Sequence, residues 1–367
     1  MVSSLLSASL MGLSCLSAVA AAPFSFPLAD GFPAIANPSQ QLTAIEQQAH
    51  GSLPNGPPPA TITEDTKTSL RFIAFNELFE VAYFTSLIYN VTNNVPGYEF
   101  ENNDVRTVVL TALTAHLAQE ELHVLNANGA LKKFGADPIQ PCKYIFPVDN
   151  FSDAIATASL FTDVTLGTLQ EVQTLFGTDG DVGLIRGVGS VIGQEGEQNG
   201  FYRTLIQKIP AALPFLTTST RELAFSALNQ NFVVPGSCPN INEIALPIFD
   251  PLTVVTTDIQ PVSQNIQFSI DVSKYGGEYP ESWKWSSGMS GLSLAYINQQ
   301  NLPVVEKLQN VVVKGHTVFF EAEFPFDAAT FGNGLTIAAI TDSAGPFTSA
   351  DDVVKATVFA PGLIEIN

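Results

Sequence analysis

The chain has 367 residues, of which 46% are hydrophobic and only 14% are charged, so it is long enough and apolar enough to fold into two domains. Its 35 acidic and 15 basic side chains give a formal charge of -20, which disfavours nucleic acid and anionic membrane surfaces as partners. This composition excludes a disordered acidic polymer and favours small cations, sugars or proteins as ligands.

The N-terminal segment predicts export. An apolar run from Leu5 to Val19 ends in Ala18-Val19-Ala20, which is typical of the apolar region and cleavage site of a secretory signal. We assign residues 1–20 to this signal, although the run lacks Lys and Arg before it. No later stretch is apolar enough to predict a membrane span. We therefore expect a secreted protein of the extracellular space or the cell wall.

The mature chain keeps two cysteines, Cys142 and Cys238. An oxidising compartment favours their pairing, so we expect a disulfide between them. Two sequons, at Asn90 and Asn150, lie at the ends of predicted helices and are candidate glycosylation sites.

Residues 21–60 are rich in proline and contain one short helical pattern, from Ser39 to Ala49. We interpret this segment as an arm that lies on the bundle. The alternative is a flexible linker.

Residues 61–245 predict a bundle of helices. Helical periodicity covers four long segments and one short one. Long helices joined by loops of moderate length pack most economically as an antiparallel four-helix bundle. The predicted segments are Glu64–Thr92, Asp104–Phe134, Ser152–Phe176, Asp181–Ile209 and the short Ser219–Asn229.

Ionisable side chains occupy positions on the apolar lines of these helices where a bundle normally places leucine. Glu120 and His123 are three residues apart on the second helix and therefore face the same side. A Glu-x-x-His pair that projects inward is the half-site of di-iron and di-manganese bundle proteins. With Glu77 on the first helix and Glu195 on the fourth, these two residues predict a metal site. Weaker candidates are Glu80, Asp163, His116 and Gln198.

The fourth helix repeats the spacing as Glu195-x-x-Gln198, and a neutral amide is a poor metal ligand. We therefore expect fewer than two metals per chain, and we expect Gln198→His to raise that number. An equally open alternative is a metal-free bundle. In that alternative the buried acids are neutral or hydrogen-bonded to Gln198, Tyr202 and Asn76.

Residues 250–367 lose the helical period and show short runs rich in β-branched residues, separated by Gly and Pro. Lys314-Gly315 is typical of a hairpin turn. About seven strands of this length predict an antiparallel β-sandwich. The runs are Leu252–Thr257, Ile266–Val272, Leu292–Ile297, Leu308–Val313, Thr317–Phe324, Leu335–Thr341 and Val353–Phe359.

Four aromatic residues cluster in one loop of this second domain, and they either pack on the sandwich or stack on sugar rings. They are Tyr275, Tyr279, Trp283 and Trp285.

Three motifs carry a resemblance to a known family: Glu77 to Phe84, Gln119 to Val124 and Gly193 to Phe201. Through them the region from Ala60 to Cys238 resembles the ferritin-like family of secreted fungal late sexual development or stress-response proteins, which is distantly similar to plant desiccation-related proteins. The resemblance implies a ferritin-like bundle and a role in development or stress. It implies no known reaction.

The predicted fold is therefore mainly α with a β domain, a ferritin-like four-helix bundle followed by an antiparallel β-sandwich. Three functions compete. The bundle binds iron or manganese for redox defence or metal sequestration; or the site is vestigial and the protein is a structural or protective wall component; or the β domain binds cell-wall glycan. The sequence leaves the reaction and the oligomeric state open.

Overall fold

The computed structural model describes residues 25–276, 283 and 288–367, so the predicted signal segment lies outside the described residues. The described residues form seven α-helices and eight β-strands. Six of the helices precede the strands, and the seventh lies between the last two strands. The helices are α1 (Gln40–Ala49), α2 (Glu64–Thr92), α3 (Asn103–Lys133), α4 (Phe151–Thr178), α5 (Ile185–Leu205), α6 (Arg221–Asn231) and α7 (Ala350–Lys355). The strands are β1 (Thr253–Val254), β2 (Gln264–Asp271), β3 (Ser293–Asn298), β4 (Val304–Lys307), β5 (Gln309–Lys314), β6 (Thr317–Phe324), β7 (Gly334–Thr341) and β8 (Thr357–Ile366).

Capping side chains fix where the long helices begin. The side chains of Thr63, Asn102 and Asn150 each accept hydrogen bonds from backbone N–H groups in the first turns of α2, α3 and α4. The fourth long helix is shorter than predicted because α5 starts only at Ile185, after a 3-10 turn, and has no side-chain cap. It ends at Leu205, shortly before Gln207 adopts a positive φ of 61°.

The bundle has an aromatic centre. Phe79 on α2 is fully buried, and its ring lies 5.0 Å from that of Phe161 on α4 and 4.7 Å from that of Phe232, centroid to centroid. Along the bundle, α2 packs against α3 and α4 packs against α5. This arrangement turns one face of α2, α3 and α5 toward a common interior.

The strands form two four-stranded antiparallel sheets, ordered β1-β2-β6-β5 and β4-β3-β7-β8. Strand β7 is buried on both faces. Alternate side chains of a strand point to opposite sides, so the two faces of β7 contact different layers. Leu335 and Ile337 belong to the core shared with the helices, whereas Ala338 and Ile340 belong to the core between the sheets. The second sheet therefore lies between the bundle and the outer sheet.

The predicted fold class is confirmed. The predicted hairpin is also confirmed, since β5 ends at Lys314, Gly315 has a φ of 64° and β6 begins at Thr317. The prediction of one strand over Val353–Phe359 is wrong. Its first half lies in α7, which starts because the side chain of Ser349 accepts a hydrogen bond from the backbone N–H of Asp352. Strand β4 was not predicted as a separate element.

Two further connections tie the chain together. Leu42 and Ile45 of α1 pack against Ala118 and Leu122 of α3, so this part of the N-terminal segment lies on the bundle. The predicted disulfide between Cys142 and Cys238 is present and joins positions 96 residues apart. None of the helices in the described ranges is long and apolar enough to cross a membrane.

Candidate metal centre

The four strongest candidate ligands meet in the interior of the bundle. Glu77 comes from α2, Glu120 and His123 come from α3, and Glu195 comes from α5. One ligand atom of each residue lies within 4.8 Å of the others. The three carboxylates are at most 1% exposed, whereas the His123 side chain is 17% exposed. The imidazole is therefore the member of the cluster nearest to solvent.

The ligand atoms converge without satisfying one another. Nδ1 of His123 lies 2.7 Å from Oε2 of Glu120, 3.5 Å from Oε2 of Glu77 and 3.8 Å from Oε1 of Glu195. None of these four atoms makes a hydrogen bond with any described residue, and the second oxygen of Glu195 makes none either. Buried polar atoms without a partner are rare in folded proteins. Four of them at one point, one from each side chain, fit a shared cation.

Burial and the charges of the neighbouring ligands together set the protonation of the cluster. Burial raises the pKa of Glu195 well above its ordinary value and that of Glu77 to about 7. Burial also raises the pKa of Glu120, but His123 and Gln198 outweigh it, so that this pKa is lowered overall. For His123, burial lowers the pKa, but the carboxylates of Glu120 and Glu77 raise it well above its usual range. Without a cation, the cluster therefore retains protons that a dication would displace.

The chemistry of the donor set fits a particular class of metal. Three carboxylates and one imidazole, with no thiolate, suit divalent ions of the manganese and iron type. Such an ion, when bound, supplies one-electron redox chemistry. The four side chains would hold it, and the burial of the three carboxylates would limit the access of bulk water.

Gln198 lies beside the cluster, where it makes a hydrogen bond to a candidate ligand and is not a ligand itself. Its Nε2 donates to Oε1 of Glu120 at 2.7 Å and to Oε1 of Gln119 at 3.0 Å. Its Oε1 accepts a hydrogen bond from the Tyr202 hydroxyl at 3.3 Å. Both ends of the Gln198 amide therefore make hydrogen bonds, and the bond to Glu120 orients that carboxylate. The Glu120 oxygen that accepts this hydrogen bond is Oε1, whereas Oε2 is the one that lies beside His123.

Glu80 is buried next to the cluster but is not part of it. Its Oε1 accepts hydrogen bonds from Asn76 at 2.9 Å and from Thr165 of α4 at 3.5 Å. Burial, together with the charge of Glu120, raises its pKa well above the ordinary value. Helix α4 therefore presents a hydroxyl to the acids, where a dinuclear centre needs a carboxylate.

His116 and Asp163 also lie apart from the four clustered residues. Nδ1 of His116 is 2.9 Å from the Tyr202 hydroxyl, and burial lowers its pKa to about 4, so it is neutral at ordinary pH. Oδ1 of Asp163 accepts a hydrogen bond from Asn199 at 2.9 Å. Glu80, His116 and Asp163 contribute no ligand atom to the cluster found among the described residues.

Sequence reasoning missed Gln119 as a supporting residue. Its Oε1 accepts hydrogen bonds from Gln194 and Gln198, both at 3.0 Å, and its Nε2 donates to the carbonyl of Ala49 at 3.3 Å. It connects α3, α5 and α1 around the centre. Gln119 lies beside the apolar line of α3, so the period that identified Glu120 gave no signal for it.

The remaining candidate sites are on the periphery. Asn150 caps α4 and its Nδ2 donates to Asp153 at 2.8 Å, and both Asn150 and Asn90 are half-buried. In the β domain, the ring of Trp283 lies 6.0 Å from that of Tyr275 and 6.4 Å from that of Phe359. These contacts support a packing role for the described aromatic residues. Tyr279 and Trp285 lie outside the described residues.

Comparison with known proteins agrees with this geometry. Residues 65–208, which span α2 to α5, match the family model of a ferritin-like domain. A search of curated proteins finds no match to the chain. The helical region that holds the cluster is therefore a ferritin-like domain, followed in this chain by antiparallel sheets.

Proposed function

We propose that this chain binds one divalent metal ion, iron or manganese, between α2, α3 and α5. The observation that supports the proposal best is the convergence of four ligand atoms that lack hydrogen bonds within the described chain. Three buried acids at one point are costly without a cation, because each ionised carboxylate destabilises the others. A dication neutralises this repulsion and supplies the missing partner of each atom.

One ion, and not two, follows from the neighbours of the cluster. A second ion needs a further histidine on α5 and a carboxylate on α4. The first position is Gln198, which is held by hydrogen bonds to Glu120 and Gln119, and the residue of α4 that meets the acids is Thr165. Both neighbours are neutral, so a second dication lacks ligands and charge compensation.

The decisive experiment is metal analysis of the full mature chain after purification without chelators. We expect close to one iron or manganese per chain, and titration of metal-depleted protein with Mn²⁺ or Fe²⁺ under anaerobic conditions should saturate at one. Saturation at two ions per chain would exclude the mononuclear arrangement. Failure to bind either ion would exclude the function itself.

We also propose that the protein is secreted and serves metal sequestration or redox defence outside the cell during stress or development. The proposal is supported by the signal-like residues 1–20, the disulfide between Cys142 and Cys238, and the resemblance to secreted stress-response proteins. Intact mass of the protein from culture medium tests it. We expect loss of residues 1–20, and glycan on Asn90 or Asn150 would shift the mass further.

A second candidate function is a metal-free structural or protective protein. Its specific support is that neutral side chains already bind two of the buried acids, since Gln198 donates to Glu120 and Asn76 donates to Glu80. On this alternative, the cluster is a remnant and the metal-free protein is the working form. The metal titration distinguishes the two candidates, because only the first predicts a saturable site.

A further inference from the structure

Helix α5 is covered less than the other long helices of the bundle. Helix α1 packs on α3, and α6 packs on α2 and α4, whereas the main contacts of α5 are with α4 and with the 3-10 turn that precedes it. Glu195 faces the bundle interior and is fully buried. Four residues on the opposite side of the helix are exposed, and we call them the outer face of α5: Arg186, Ser190, Gly193 and Glu197. Their spacings of four, three and four residues keep them on one side of the helix.

The outer face has an unpaired charge at each end. Arg186 and Glu197 are eleven residues apart, close to three helical turns, so they project from the same side of α5. A rise of about 1.5 Å per residue separates their positions by about 16 Å, which is too far for them to pair with each other. Within the described chain, neither side chain makes a hydrogen bond or an ion pair. Both charges are therefore available to a partner.

The residues between these charges are small. Ser190 and Gly193 lie on the outer face, and Gly187 and Gly196 flank it in exposed positions. A Cβ added at any of the three glycines would meet no atom within 4 Å, so this side of α5 borders open space. The side chains at a contact set the separation of two packed helices, so small residues allow a second helix to approach closely. A contact of this kind would offset the low helix propensity of the glycines.

The outer face is complementary to itself when two copies lie antiparallel. A two-fold axis through the midpoint between Arg186 and Glu197 brings residues at equal distances from that midpoint face to face. Arg186 then lies opposite Glu197 of the partner subunit, and Ser190 lies opposite Gly193 of the partner subunit. Because the axis makes every contact twice, two ion pairs flank a centre of small residues. A parallel arrangement would instead place like charges opposite each other.

We propose that a second copy of this chain binds to the outer face of α5, with the two helices antiparallel about a two-fold axis. The charges select this occupant, because the same surface supplies both halves of each ion pair. The chain has a formal charge of -20, so two copies repel each other over most of their surfaces, whereas the outer face carries no net charge. Glu195 lies on the other side of α5, so the dimer is independent of bound metal.

The contact is small, and this determines how it must be measured. One pair of helices buries less than the roughly 800 Å² per partner of a stable complex, so we expect a weak dimer that forms reversibly as the concentration rises. Sedimentation velocity of the full mature chain, from micromolar to near-millimolar concentration, measures the dissociation constant. Salt at about 0.15 M screens the long-range repulsion. We expect monomer and dimer without larger species, because a two-fold contact closes on itself.

Reversal of one charge should weaken the dimer, and reversal of both should restore it. Arg186→Glu or Glu197→Arg alone turns two attractive pairs into two repulsive ones, so we expect the dissociation constant to rise at least about tenfold. The double variant has the two charges exchanged and should return to within about threefold of wild type. Lys132→Glu, at an exposed position of α3, is the matched control for the change in net charge and should leave association unchanged.

Gly193→Leu tests the close approach of the two helices. Its side chain should project from the centre of the outer face, hold the helices apart and abolish the dimer. Gly129→Leu, at an exposed position of α3 with equally open space around its Cβ, should leave the dimer intact. Thermal melts on dilute protein, where the monomer dominates, verify that each variant is folded. The proposal is overturned if wild type stays monomeric up to near-millimolar concentration, if the single reversals dimerise like wild type, if the double variant fails to recover the dimer, or if Gly193→Leu still dimerises.

Discussion

Oε2 of Glu120 lies 2.7 Å from Nδ1 of His123, and neither atom makes a hydrogen bond within the described chain. The two residues are three apart on α3, so the helix itself brings them to one face. Without a cation the protonated imidazole pairs with the carboxylate, and with one the two atoms are close enough to be ligands of the same ion. Helix α3 therefore supplies half of the centre, and α2 and α5 complete it with Glu77 and Glu195.

Glu120→Gln should remove the metal site while the fold persists. The change preserves size but replaces an anionic ligand with a neutral amide. We expect the dissociation constant for Mn²⁺ to rise by more than the roughly 10- to 100-fold that is typical of groups that only support a ligand. Anaerobic titration measures it. The matched control is Glu121→Gln, since Glu121 is the next residue of α3, is buried, and lies outside the cluster. Equal affinities of the two variants would contradict the assignment.

Metal binding should strengthen as the pH rises from about 5 to about 8. In the metal-free protein, the raised pKa values of Glu195, His123 and Glu77 keep protons on the cluster at neutral pH. A dication displaces those protons, so each released proton makes the apparent affinity about tenfold stronger per pH unit. Competition against a chelator at several pH values measures the slope, and a pH indicator in weak buffer measures the protons released. An affinity that is flat over this range would be inconsistent with protonated ligands.

Glu195→Gln should stabilise the metal-free protein, and more so at high pH. The folded pKa of Glu195 lies above its unfolded value because of burial, so the folded state holds the proton more tightly. The free energy of unfolding therefore falls as the pH rises from the unfolded pKa toward the folded one. Glu195→Gln has no carboxyl group at this position, so its free energy of unfolding does not fall for this reason. We expect a larger rise in Tm at pH 8 than at pH 5 in the presence of a chelator.

The control for this experiment is Glu197→Gln, two residues further along α5 on its exposed side. A surface change of this kind should alter stability by no more than about 0.5 kcal/mol. If Glu195→Gln behaves like Glu197→Gln, the burial of Glu195 carries no cost and the acids of the cluster need no cation.

The sequence was sufficient to predict which four side chains converge in the bundle for a simple reason. Helical period alone places Glu77, Glu120 and His123 on inward lines, and inward lines of a bundle must meet. The structure adds what periodicity does not contain, namely distances between helices. The separation of α3 from α5 decides that Gln198 reaches Oε1 of Glu120, and this contact changes its role from failed ligand to support.

The strand that was wrongly predicted in the β domain has a similar explanation. The prediction over Val353–Phe359 failed because α7 has only six residues, which is too short to show a helical period. The double burial of β7 depends on the helices that cover the sheet from the other side, so no alternation is visible in its own residues. Local pattern identifies an element, but the neighbouring layer determines which of its faces is buried.

Gln198→His should destabilise the bundle and leave the stoichiometry at one metal per chain. The sequence alone favours the opposite result, because it shows only the spacing shared with Glu120 and His123. In the structure, Gln198 makes hydrogen bonds to Glu120, Gln119 and Tyr202, and an imidazole cannot reproduce all three. We expect a loss of about 1–3 kcal/mol from the groups left unpaired.

Metal analysis and thermal melting on wild type and Gln198→His decide between these expectations. Gln194→His is a matched control, because Gln194 also donates to Oε1 of Gln119 at 3.0 Å but has no hydrogen bond to Glu120 among those of the described residues. It should be tolerated better than the change at 198. Binding of a second ion by Gln198→His would show that the sequence-based expectation is right and that Thr165 on α4 is no obstacle.

Arg203 should anchor the last strand to the bundle in a manner that depends on pH. The side chain is fully buried on α5, and its guanidinium donates to Glu365 of β8 at 3.3 Å, to Asn367 at 2.8 Å and to the carbonyl of Ile209 at 2.7 Å. Burial, with a further contribution from Asp163, raises the pKa of Glu365 to about 8 even with the arginine beside it. Removing the cation should raise that pKa further, so Arg203→Met should cost about 1–3 kcal/mol at pH 6, where Glu365 is already protonated, through lost hydrogen bonds.

At pH 9 the wild-type Glu365 is ionised and paired with Arg203, whereas in Arg203→Met its pKa is higher and Lys208 is the cation that remains near it, so the loss should grow by up to about 1.4 kcal/mol, which corresponds to the one pH unit above the wild-type pKa. Chemical unfolding at both pH values measures the two losses. Adding Glu365→Gln to Arg203→Met should remove the increase at pH 9, since the double variant has no charge left to bury. Arg186→Met, at an exposed position of the same helix, should change stability little at either pH. A loss that is equal at the two pH values, or that the second change fails to relieve, would show that Arg203 acts through packing and not through the charge of Glu365.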